Sequence, residues 1–220
     1  MMDNRVEGIV RPGADIEAQS FAIIEREVGQ HGYDPLEWIV VRRIIHTTAD
    51  FEYARITLFS SGVVERAREA FHGGSPIYVD TRMIAVGLSP WRLGWYGLRV
   101  EVPSDDLGIM EFARRHGITR SAAAFRMKAE KLNGSVVVVG NAPTALMEIV
   151  RAIEEGIAKP ALVVGVPVGF VQASESKEML IRNGMVPFVV TKGRKGGSTV
   201  AVAILHGLLE CARLIDEKGL

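Results

Sequence analysis

From Ser135 onward the chain repeats one plan without repeating its sequence. A short unbroken run of apolar, mostly β-branched residues is followed by a loop containing glycine or proline, and then by apolar positions at helical spacing. The apolar runs occupy residues 136–139 (VVVV), 162–166 (LVVGV) and 187–191 (PFVVT). Helices are predicted over residues 144–155, through Glu178 to Arg182, and over 198–215. Strands apolar on both faces, alternating with helices, predict a parallel sheet covered on both sides. The expected fold class is α/β, a three-layer α/β/α arrangement with a mainly parallel sheet, as one domain over residues 1–220. The three exit loops would lie at the carboxyl edge of that sheet, where open α/β folds bind ligands.

The first half is more mixed. A turn is predicted at Pro12-Gly13, then a helix over residues 15–28 with Ile16, Ser20, Ile23 and Ile24 on its inner face. Asp34, Pro35 and Glu37 form a capping box with proline at the first helical position. The helix they open carries Leu36, Ile39, Arg43 and His46 on one stripe, expected to face inward. Beyond it the pattern predicts a loop at 49–53, a strand at 56–59, a helix at 63–71, a strand at 76–80 and a short helix at 81–86. Residues 87–97, GLSPWRLGWYG, read as an irregular segment, either a lid or an arm packed on another subunit. A strand at 98–102, a helix capped by Ser104 and ending at His116, and a helix capped by Thr119 complete this half.

Composition narrows the function classes. The 220 residues carry 26 Lys plus Arg against 26 Asp plus Glu, so no global field attracts nucleic acid or an acidic membrane. The lone Cys211, in an apolar helical pattern, excludes a disulfide framework and a multi-cysteine zinc site. The first residues lack the apolar core of a signal peptide, and no apolar run reads as long enough to span a bilayer. A cytoplasmic protein is the expectation. The GRKGGS loop is no P-loop, because Lys195 precedes the glycines, and neither GNAPTAL nor GVPVGF has dinucleotide-binding spacing. These loops suit carboxylates through backbone N–H groups, Asn141 and Arg194, unless the glycines serve only tight turns.

Arg43 and His46, one turn apart, admit two readings. Cationic groups near a helix C-terminus favour the helix dipole; alternatively they line a pocket in which His46 exchanges a proton and Arg43 holds an anion. Ser20 either bonds back to the carbonyl of Ile16 or contacts a ligand. Asp80, ending a strand, either caps the next helix or faces a ligand, the cap being preferred. Arg120 stands in the first turn of its helix, on the unfavourable side of the dipole, which points to a role beyond the helix.

Five stretches occur in order: SFAIIEREVG, VRRIIHTTADFEYA, GNAPTAL, PALVVGVPVGFVQASESKE and GRKGGSTVAVA. Together, from about Ile16 to Ala203, they resemble the precorrin-8X methylmutase family of corrin biosynthesis. The resemblance implies an isomerase that moves a methyl group from C-11 to C-12 of the macrocycle by a 1,5-sigmatropic shift. It implies His46 as the catalytic proton donor and acceptor, and Ser20, Arg43, Arg120 and Ser121 as substrate contacts, with Asn141 among the loop donors. No cofactor and no metal ligand are implied, because no electron or group enters or leaves. The implied partner is a tetrapyrrole substrate, with neither nucleic acid nor membrane, and the implied assembly is a homodimer, for which the aromatic 87–97 segment offers Trp91 and Trp95 as anchor candidates. A non-catalytic corrin-binding carrier is the alternative. His31, His72, His116 and His206 compete as acids but lack the motif context of His46.

Overall fold

A computed structural model describes residues 13–218, so Pro12 of the expected turn lies outside the described residues. Six strands form one sheet in the order β1-β6-β5-β4-β2-β3. They are β1 (Thr57–Phe59), β2 (Ile77–Val79), β3 (Val100–Glu101), β4 (Val136–Val139), β5 (Leu162–Gly165) and β6 (Phe188–Thr191). All neighbours are parallel except edge strand β1, which runs antiparallel to β6. The fold is α/β with a mainly parallel sheet.

The strand composition explains the layers. Val136, Val138, Val164 and Val189 enter one apolar cluster, while Val137, Val139, Val163 and Val190 enter the other. Successive side chains point to opposite faces, so a strand buried on both sides reads as an unbroken valine run. The first cluster is covered by α2 (Pro35–Thr48), α4 (Val63–His72) and α11 (Ser198–Lys218); the second by α8 (Arg120–Lys128), α9 (Pro143–Glu154) and α10 (Ala173–Asn183). α1 (Gly13–Val28) lies on α2. α2 and α11 approach so closely that a Cβ at Gly207 would sit 2.9 Å from the Val40 Cα.

Several expectations change. α11, at 21 residues, is by length and composition alone long enough to cross a bilayer, contrary to the sequence reading, and its apolar residues here form the centre of the first cluster. The 87–97 segment is not irregular throughout: Ser89 caps a short helix, α6 (Pro90–Gly94), with Pro90 at its start, after α5 (Arg82–Gly87). α6 packs along α11, where the Ser89 N–H donates to His206 Nε2 at 3.0 Å. Ser104 caps no helix; it sits in a single 3₁₀ turn, Pro103–Asp105, and α7 (Ile109–His116) begins after Gly108. The loop expected at 49–53 runs into a one-turn helix, α3 (Tyr53–Ile56), which shortens β1.

Candidate active site

Asp34 accepts from the N–H groups of Leu36 and Glu37 at 2.8 Å each, and the Glu37 carboxylate completes the box. That cap fixes the start of α2; its end is set by Ala49, which takes a left-handed conformation (φ 53°) and donates to the Ile45 carbonyl. His46 stands in the last turn. The stripe expected to face inward instead runs along the rim: Leu36 and Ile39 are half-buried, Arg43 is buried and His46 is exposed. The inner face is made by Trp38, Val40, Val41, Ile44 and Ile45.

His46 Nδ1 lies 2.7 Å from Ser20 Oγ, which joins α1 to α2. Ser20 bonds His46 and makes no hydrogen bond to the carbonyl of Ile16. The edge of the imidazole meets the Phe21 ring, with centroids 5.3 Å apart. Around the pair is an open, mostly apolar cavity of about 390 Å³ walled by Ile16, Ile23, Ile24, Ile45 and Phe51, with Gln19 and Glu27 also lining it. Ile16 and Ile23, expected in the core, are exposed and form the rim of this cavity. The arrangement is a titratable ring in an apolar bowl, oriented by one hydroxyl.

Arg43 turns to the other side of α2. Its Nε and Nη2 donate to Glu210 at 2.9 and 2.6 Å, with Glu17 at 3.2 Å. Arg92 of α6 reaches the same Glu210 oxygen at 2.7 Å. Nη1 of Arg43 has no protein hydrogen bond among the described residues. Arg43 lines a second cavity of about 370 Å³ together with Thr47, Val86, Ser198 and His206. Glu210 was not singled out from sequence; its signal was the first carboxylate of α11, one turn after His206 in a mainly apolar stretch.

The carboxyl edge of the sheet is a hydrogen-bonded array. Asp80 caps no helix: its buried carboxylate accepts from the N–H groups of Gly140, Asn141 and Ala142 at 3.0, 2.8 and 2.7 Å. Burial raises this carboxyl's pKa while the three donors lower it. Those amides are thus committed within the chain, and of the Asn141 donors only the exposed side chain faces outward. Thr81, not Asp80, caps α5. Gly197 donates to the Val166 carbonyl at 2.9 Å and Gly169 to the Arg194 carbonyl at 3.1 Å. Gly196 is required here, since a Cβ would fall 2.1 Å from the Val166 oxygen.

Arg120 and Ser121 stand at the start of α8, in the opposite layer from α2. The exposed Arg120 guanidinium donates to the Ser104 carbonyl at 2.9 Å. The cavity around His46 contains neither of them, nor Asn141.

Comparison with known proteins bears on this arrangement. Residues 15–211 match the CbiC precorrin-8X methylmutase family. The chain belongs to that family. A cobalt-precorrin-8 methylmutase of Leptospira interrogans is 46% identical over 209 residues, covering 91% of this chain and 94% of the relative. A precorrin-8X methylmutase of Sinorhizobium is 40% identical over 200 residues, covering 90% and 95%. The crystal structure of a precorrin-8X methyl mutase from Thermus thermophilus superposes with a TM-score of 0.84 at 50% identity, covering 91% of this chain and 96% of that one. The activity is that of a methylmutase, an isomerase of cobalamin biosynthesis.

Within this methylmutase the other four histidines are engaged elsewhere. His31 stacks on Trp38 at 3.9 Å, and His72 bonds Asp216 at 2.9 Å. His116 donates from Nδ1 to the Phe112 carbonyl at 2.9 Å. Burial, with Arg92 and Arg43 nearby, pulls His206 down to about 4, and its Nε2 is an acceptor for the Ser89 N–H. A neutral ring with that nitrogen occupied is a poor acid at neutral pH. Cys211 is core: its thiol donates to the Leu36 carbonyl at 3.2 Å and burial pushes it up to about 12.

Proposed function

We propose that this methylmutase moves a methyl group from C-11 to C-12 of precorrin-8X or cobalt-precorrin-8, giving hydrogenobyrinate or cobyrinate, with His46 as proton donor and acceptor. The observation that carries the assignment is the Ser20–His46 pair inside an apolar bowl. Protonating a ring nitrogen makes the conjugated macrocycle more electrophilic and eases methyl migration; returning the proton to the imidazole leaves the enzyme unchanged. Ser20 suits both states. Its hydroxyl accepts from Nδ1–H both in the imidazolium, which gives its Nε2 proton to the macrocycle, and in the neutral imidazole left behind, whose bare Nε2 takes the proton back. Such positioned proton transfer contributes typically ~10²–10⁴-fold.

Arg43 offers Nη1 to a substrate carboxylate, while Arg120, Ser121 and the Asn141 side chain supply donors from the opposite layer. The isoleucine wall takes the flat ring. At about 390 Å³ the bowl is at the small end of ligand cavities, ~300–1,000 Å³, so a decorated macrocycle overfills it. A homodimer that closes the site supplies the missing wall, in a cytoplasmic reaction. The exposed Trp91 and the Trp95 packed against it remain the anchor candidates.

The test is incubation of the purified protein with the metal-free and the cobalt-bearing substrate, following the product by its absorption. Conversion of either form supports the isomerase and identifies the ring it takes. Stoichiometric binding of product without conversion of either substrate favours a carrier.

A further inference from the structure

The GRKGGS loop contains a junction that neither the fold nor the proton chemistry has accounted for. The Lys195 ammonium bonds Asp50 and lies 2.8 Å from Glu52. Its carbonyl accepts from Lys177 Nζ at 2.9 Å and from Thr191 Oγ at 2.8 Å. One residue thus ties the β6–α11 loop, the buried face of α10 and the segment leaving α2. Its neighbour Gly196 is pressed against Val166, so the loop on which Lys195 stands has little room to move.

The segment being held starts four residues after His46. Ala49 there is a non-glycine residue in the left-handed region, a conformation that costs about 1–2 kcal/mol. Asp50 and Glu52 follow it, two carboxylates close enough to share one ammonium. Without a cation between them they repel, and the strained turn that ends α2 has less to hold it. The Asp50 carboxyl is kept below its usual range by the hydrogen bond from Lys195. From the inner side, Lys177 is fully buried and burial alone pulls it down to about 8. A buried ammonium whose one hydrogen bond goes to a loop carbonyl is costly for stability, and its yield here is a fixed Lys195.

We infer that Lys195 is a positioning residue for the methyl shift: by clamping Asp50 and Glu52 it fixes the last turn of α2, and so the place of His46 against Ser20. This rests on the reading of His46 as the proton carrier. Lys195 itself touches neither His46 nor the bowl, and of the clamped segment only Phe51 and the adjoining Ala49 line the bowl, so the chemical step should suffer well beyond ligand affinity. A misplacement near 1 Å costs ~10²-fold in a well-oriented site.

The experiment compares Lys195→Met and Lys195→Arg with the wild type in turnover, product affinity and the ¹⁵N resonances of the His46 ring. The expected result for Lys195→Met is a kcat about 10-fold or more lower, product affinity within about 3-fold, and a His46 Nδ1 resonance shifted from its position when bonded to Ser20. Lys195→Arg, which keeps a cation between the carboxylates, restores most of the turnover. Wild-type turnover by Lys195→Met overturns the clamp, as does a parallel loss of affinity and kcat, which makes Lys195 a ligand contact. Normal turnover by His46→Asn would remove the reading of His46 itself; unchanged His46 resonances in Lys195→Met overturn the clamp alone.

Discussion

Ser20 Oγ and His46 Nδ1 lie 2.7 Å apart, 26 residues away from each other in the chain and on different helices. This contact makes a mobile imidazole into an oriented one. Ser20→Ala removes it without opening the core, because Ser20 is only half-buried. The expected result is a kcat about 10-fold lower, the equivalent of roughly 1.4 kcal/mol, with product affinity nearly unchanged. Steady-state kinetics beside a binding titration checks this; a loss confined to affinity would make Ser20 a substrate contact alone.

Arg43 and Arg120 are predicted to part company. Both should lose about 2–5 kcal/mol of product affinity on replacement by alanine, the scale for stranding a desolvated carboxylate. Only Arg43→Ala should also destabilise the fold, by about 2 kcal/mol. That is below the ~3–5 kcal/mol for breaking a buried pair, because Arg92 still holds Glu210. Arg120→Ala, exposed and bonded only to a carbonyl, should stay within about 0.5 kcal/mol. Calorimetric binding and urea unfolding separate the two effects; unchanged affinity in a folded variant removes that arginine from the site.

The pH dependence of stability should show His206. Its folded value, about 4, lies below the unfolded value of about 6.5. The folded state keeps the ring neutral, while the unfolded chain takes up a proton as pH falls below 6.5. The contribution is therefore full above pH 6.5 and is lost as pH falls towards 4. Between pH 7.5 and 4.5, the stability difference between wild type and His206→Gln should shrink by roughly 2–3 kcal/mol. A constant difference in urea titrations would contradict the assignment of a buried neutral ring.

Assembly can be read by mass. Trp91 is 66% exposed, and Arg213 lies over both Trp91 and Trp95 at 5.9 and 4.6 Å. Light scattering at micromolar concentration should give a dimer, and Trp91→Ala should weaken it, at the scale of ~2 kcal/mol or more typical of a hot-spot tryptophan. A monomeric wild type would end that proposal.

What the sequence made legible follows the range of each interaction. The capping box of α2 and the buried strands were readable because their causes are local: Asp34 and Glu37 lie three residues apart, and a valine run reports burial on both faces. α6 was also locally encoded, by Ser89 and Pro90, but the glycines and tryptophans in and beside it favoured an irregular lid or subunit arm. The inward stripe of α2 failed by a fraction of a turn, because apolar periodicity does not say where the covering helix stops. Asp80 was misread as a cap since its true partners lie 60 residues on. The Arg43–Glu210 pair, separated by 167 residues, and the Lys195 junction left no trace in spacing at all. The candidate site residues were reached through the family wording; their pairing needed the fold.

The central claim, that His46 carries the proton, is tested most directly by His46→Asn under single-turnover conditions. His46 is exposed, so the variant should fold and bind product with near wild-type affinity. The chemical step should slow by ~10²-fold or more. A folded, ligand-competent His46→Asn protein that isomerises its precorrin at the wild-type rate would contradict the account.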